Sequence, residues 1–160
     1  MDKIQPFNKY LPLVVLLVLI ISAKNISAQD NWWKDKKYRS DEKRARANNC
    51  KLVYMNISDG LTYSNATYVT PYFGSEVYLS MKNDEKGYFN PEQSRFIIEN
   101  FLSNNPVSSF KWKASNHSDN YAFAIGKYKY QKNGFINTYT ISISLKYSND
   151  LWLIDQIIVN

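Results

Sequence analysis

Three clusters of turn-forming residues, Asn116 to Asn120 (NHSDN), Asn133-Gly134 and Ser148-Asn149-Asp150, cut residues 110–159 into four segments of strand character. Strands joined by turns this short pair with their neighbours in sequence, so the pattern predicts an antiparallel meander. The middle turn is the most informative. A two-residue type I′ turn needs positive φ at both central positions, and Asn-Gly supplies them at least cost. That turn sets a register in which Lys132 faces Phe135 and Tyr128 faces Tyr139. Counting back, Ala122, Ala124, Gly126, Tyr128 and Tyr130 share a face with Leu145, Ile143, Ile141, Tyr139 and Asn137. That face is expected to be buried. The opposite face, with Phe123, Ile125, Lys127, Lys129 and Gln131 against Ser144, Ser142, Thr140 and Thr138, is expected to be largely solvated.

The last segment, from Leu151 to Val159, breaks alternation: Trp152 and Ile154 fit one phase, Ile157 and Val159 the other. One extra residue at Asp155 or Gln156 reconciles them, and a β-bulge there would bend the strand and curl the sheet. Upstream, Asn90-Pro91-Glu92-Gln93 reads as a helix start with a capping box, and Phe96, Ile97, Ile98, Phe101 and Leu102 give an apolar stripe as far as Asn104-Asn105-Pro106. Before it, Glu76 to Met81 reads as a strand, Asp84 to Gly87 as a turn and Tyr88-Phe89 as a short return strand. Propensity does not decide between helix and strand for residues 44–74.

The N-terminus carries its own signature. Lys3 and Lys9 precede the apolar run LPLVVLLVLII from Leu11 to Ile21, followed by Ser22, Ala23 and Ile26-Ser27-Ala28. This pattern predicts a signal peptide over residues 1–28, cleaved between Ala28 and Gln29, and export to the periplasm or beyond with no transmembrane anchor left. The basic excess of the remainder is local. Residues 29–46 hold seven basic and four acidic groups and read as a charged linker or helix lead-in, whereas residues 47–160 are nearly balanced. A domain of that balance is not expected to bind nucleic acid; a weak membrane-surface contact through residues 32–46, beside Trp32 and Trp33, stays open.

One Cys and one His among 160 residues exclude an internal disulfide framework, a Cys-based zinc site and the multi-His sites of common zinc enzymes, so no metal and no cofactor are expected. Cys50 is expected to be buried as a small hydrophobe, and His117 to be a solvated residue of the NHSDN turn.

The order of elements and the residues Tyr72-Phe73-Gly74, Val77-Tyr78-Leu79, Gln93, Phe101-Leu102, Asn105-Pro106, Ser109-Phe110, Tyr121, Ile125-Gly126 and Trp152 resemble the nuclear transport factor 2-like superfamily, within it a small exported Bacteroidota family of unknown function. The resemblance spans about residues 57–159. It implies an α+β cone over residues 47–160, in which a curved antiparallel sheet of four to six strands wraps two or three helices. On this basis residues 44–62 and 66–73 are assigned as helices. The cone mouth of such folds serves as a ligand pocket, an active site or a dimer surface, and the fold does not choose among them.

Small residues Ala122, Ala124 and Gly126 face large ones across the hairpin and leave space on the buried face. Either the helix over residues 91–104 fills it through Phe101 and Ile97, or it is a pocket with Tyr128, Tyr130, Tyr139 and Asn137 as polar anchors and Trp112 as a wall. The pocket reading favours a non-catalytic domain that binds a small apolar or amphipathic ligand, or a protein partner. The alternatives are an isomerase- or dehydratase-type enzyme with Asp155 as a buried acid beside Tyr139, and a homodimer through an outer patch of Phe123, Ile125 and Ile136.

Overall fold

The computed structural model describes residues 41–82 and 86–160; the expected leader, the charged segment before residue 41 and the Asp84-Glu85 turn lie outside them. Helix α1 (Asp41–Thr62) starts on two acidic residues, Asp41 and Glu42, which suit the positive end of the helix dipole. Cys50, Val53, Tyr54, Ile57 and Leu61 recur every three or four residues and form its buried face. The helix stops in a Schellman turn: Ser64 is left-handed (φ 50°), and the Asn65 N–H donates to Gly60 O at 2.8 Å. Gly60 also admits the following segment, since a Cβ there would lie 2.6 Å from Val69 Cγ2.

The single helix assigned to residues 66–73 is instead two 3₁₀ turns, Ala66–Tyr68 and Thr70–Tyr72. Asn65 caps the first through its side chain, but the second starts afresh around Pro71, which cannot donate the backbone bond a continuous helix needs. Strand β1 (Phe73–Ser80) begins three residues before the expected strand, and β2 (Lys86–Phe89) returns beside it. Helix α2 (Pro91–Asn104) has the expected capping box, with Asn90 and Gln93 bonding each other's backbone. The meander follows as β3 (Val107–His117), β4 (Tyr121–Lys132), β5 (Phe135–Ser148) and β6 (Leu151–Val159).

The strands form one six-stranded sheet in the order β2-β1-β6-β5-β4-β3. It is mixed, because β1 lies parallel to β6, pairing Phe73 with Ile154 and Leu79 with Ile157. Every expected β4–β5 pair is present, from Lys132 opposite Phe135 to Ala122 opposite Leu145. Ser144 pairs with Gln156 and Leu145 with Ile154, which leaves Asp155 as the expected extra residue. A second break in β3 leaves Lys113 over, between Trp112 opposite Gly126 and Ala114 opposite Ile125. These irregularities bend the sheet around both helices. Their apolar faces meet its inner face in one core that includes Ile98, Leu102, Ile141, Ile143, Leu145 and Ile154. Among the described residues no helix is long and apolar enough to cross a membrane.

Candidate functional site

The space over the small residues of β4 is filled from the edge of the sheet and from α1. A Cβ on Gly126 would sit 2.5 Å from Cε2 and Cζ of Phe110, so the missing side chain is what lets that ring lie flat on the strand. Phe110 meets Trp112 edge to face (4.7 Å between centroids), and Trp112 meets Tyr54 of α1 in the same manner (5.4 Å). The Tyr54 hydroxyl crosses the core to donate to Ile143 O at 3.0 Å. The ring over Gly126 is therefore Phe110 and not Phe101 of α2. Phe101 lies further along, against Tyr128 (5.4 Å) and Tyr139 (5.7 Å).

The candidate anchors separate by depth. Tyr128 is fully buried and donates to Asn105 O at 2.7 Å; burial pushes its phenol upward. It is a strut between β4 and the end of α2. Tyr54 is likewise raised by burial. Tyr130 and Tyr139 stack nearly parallel at 4.4 Å, with Tyr139 only partly buried and Lys82 Nζ 5.7 Å from its ring. Burial first, and then Tyr130 beside it, raises the Tyr139 phenol to about 12. Trp112 is a wall, though of the packed interior, and its Nε1 is buried with no hydrogen-bond partner among the described residues.

Two candidates lie outside this constellation. Asn137 is exposed, and its amide donates to Phe135 O at 3.2 Å; the hairpin has already left the body of the sheet at that position. Asp155 is exposed as well, because the bulge turns the extra residue away from the core. It is not the buried acid that an enzyme of the expected kind requires. The buried polar residues described are Ser94, Asn105 and Ser144, none of them an acid or a base. The half-buried Tyr139 ring, backed by the buried Tyr130, can hold a flat or amphipathic group.

The opposite end of the sheet holds what the sequence reading missed. His117 is the last residue of β3, half-buried, and not part of a solvated turn. With Lys43, Arg46, Ala47, Ser118, Asp119 and Trp152 it lines a crevice of about 10 Å³, the room of roughly one water molecule. Arg46 organises this end. Its guanidinium donates to Asp119 O (3.3 Å), Asn120 Oδ1 (3.1 Å) and Glu42 Oε1 (3.3 Å) and lies 4.1 Å over the Tyr147 ring, while its carbonyl accepts from Trp152 Nε1 (2.9 Å). The only advance signal was the Glu42 and Arg46 spacing of four, since the partners across the sheet come from far along the chain.

Solved structures share this architecture. A family protein from Bacteroides uniformis superposes with a TM-score of 0.61 at 18% identity, covering 66% of this chain and 94% of its own. An NTF2-like protein from Anabaena variabilis gives 0.55 at 10% identity, covering 71% and 88%. A putative scytalone dehydratase from Novosphingobium aromaticivorans gives 0.54 at 9% identity, covering 72% and 83%. At these identities the likeness is one of fold. No curated protein matches the chain. The Bacteroides uniformis protein is described as DUF4783, and the sequence profile of that domain of unknown function matches residues 54–160 here, so this nuclear transport factor 2-like chain belongs to the DUF4783 family.

Proposed function

We propose that this protein is an exported, non-catalytic binding domain that takes a small amphipathic ligand, or a short amphipathic segment of a protein partner, at the rim of its cone. The observation that carries the reading is the contrast between its phenols. Tyr54 and Tyr128 spend their hydroxyls on main-chain carbonyls inside the core, whereas Tyr139, stacked on the buried Tyr130, is only half-buried and has Lys82 nearby. Rings receive an apolar body; phenols and an ammonium receive its polar head. Export rests on the leader pattern ending at Ala28. The absence of an acid or imidazole among the buried described residues supports a binding role over the isomerase or dehydratase alternative.

Native mass spectrometry of the chain from Gln29 onward, purified from its own host and compared before and after denaturation, tests this reading. The expected result is a small co-purified mass that disappears on denaturation and is missing from Tyr139→Ala. A dimer without added mass would instead favour the outer face as a homodimer surface, and an unliganded monomer would leave the rim without support.

A further inference from the structure

The β4–β5 hairpin runs past the strands on either side of it. On one flank the final backbone bond is from Gln131 N–H to Pro106 O at 3.1 Å; on the other it is the reciprocal Thr140 and Asn160 pair at 2.8 and 2.9 Å. Beyond these points eight consecutive residues, from Gln131 to Thr138, are exposed. The turn itself is polar, with Asn133 and Gly134 at φ 53° and 80°. Directly after it come Phe135, 74% exposed, and Ile136, 69% exposed. Neither contributes to the core, and successive strand residues point to opposite faces, so the tip is apolar on both sides.

On the hairpin itself, from Tyr121 to Ser148, every charged residue is a lysine. Between Glu99 and Asp150 the only acid is Asp119, at the far end of β4, while Lys111, Lys113, Lys127, Lys129, Lys132 and Lys146 are all exposed. Lys132 faces Phe135, and Lys129 and Lys127 follow about 7 Å and 13 Å behind Ile136 along the strand.

We propose that this hairpin is a membrane wedge: Phe135 and Ile136 enter the headgroup–acyl boundary of an anionic lipid surface while Lys132, Lys129 and Lys127 contact its phosphates. A protein groove covers one face of a strand pair, whereas a tip apolar on both faces matches a medium that surrounds it. Insertion of 5–10 Å, typical of interfacial segments, brings the lysines to the depth of the phosphates. The inference does not depend on the rim ligand.

The test labels Ile136→Cys in the full chain with a polarity-sensitive fluorophore. Cys50, fully buried and with its thiol raised to about 12, stays unlabelled. Vesicles of phosphatidylglycerol and phosphatidylcholine are expected to shift the emission to the blue and to quench it when their acyl chains are brominated; pure phosphatidylcholine is expected to do neither. Lys129→Gln with Lys132→Gln is expected to weaken the response about 25-fold, at about fivefold per lysine. A label on Leu151→Cys, at the opposite end of the sheet, is expected to stay aqueous. An unchanged tip signal on anionic vesicles overturns the proposal, as does an equal response to neutral vesicles or a response of the Leu151→Cys control. A shift that grows with protein concentration in the absence of lipid would also overturn it and assign the tip to a second copy of the chain.

Discussion

The two ends of the sheet are finished in opposite ways. Where β3 turns into β4, Arg46 and Lys43 of α1 reach across to Asp119 and Asn120, Trp152 bonds back to the helix, and Tyr147 closes the stack. Where β4 turns into β5, nothing described reaches across, and Phe135 and Ile136 stand in solvent. One end spends its polar and aromatic groups on holding helix to sheet. The other leaves them unspent, and unspent groups are the ones available to something outside the chain.

The sharpest way to break this contrast is to remove what fills the interior between the two ends. Tyr54→Ala deletes a ring packed on Trp112 and a bond to Ile143 O, and is expected to cost about 3–5 kcal/mol in urea unfolding. Alkaline pH attacks the same interior. The Cys50 thiol, ordinarily near 9.0, and the Tyr139 phenol, ordinarily near 10.0, are both raised to about 12 in the folded chain. The folded state therefore holds these protons more tightly than the unfolded one. Stability is whole below pH 9 and drains as pH rises from 9 through 12; urea midpoints should fall across that window, and more gently for Cys50→Ala.

At the clamped end, Arg46→Ala removes the contacts to Asp119, Asn120 and Tyr147 together and is expected to cost about 2 kcal/mol, with faster amide exchange in the first turns of α1 as the local readout. Both Asn149 and Asp150 have positive φ, at 50° and 62°, so Asp150→Gly is expected to add about 0.5 kcal/mol and raise the melting temperature slightly. At the open end, Phe135→Ser with Ile136→Ser is expected to change stability by less than about 0.5 kcal/mol, because both side chains already lie in water. A loss comparable to that of Arg46→Ala would mean that the tip is packed and that the contrast is false.

What was legible in advance follows from how local each cause is. The Asn133-Gly134 turn, the alternation it starts and the bulge at Asp155 are written in neighbouring residues, as is the Asn90 to Gln93 cap. The occupant of the space over Gly126 was not legible. Phe110 and Tyr54 arrive from an edge strand and a distant helix, and only the curl of the sheet decides between them and α2. The rim stack could be anticipated because Tyr130 and Tyr139 lie almost opposite each other across one hairpin. Asn137 and Asp155 were placed on the right strands, yet Asn137 is uncovered because β6 pairs with β5 only as far as Ile141, and Asp155 because the bulge turns it outward.

The parallel pairing of β1 with β6 also governs the order in which the chain can fold. Phe73 must wait for Ile154, and β6 lies in the interior of the sheet, between β1 and the rest of the meander. Until residues 151–159 are present, the first two strands have no sheet to join, and the meander carries an unpaired edge along β5. A contact of such long range makes assembly slow. For a chain exported as proposed, that delay keeps it open to translocation.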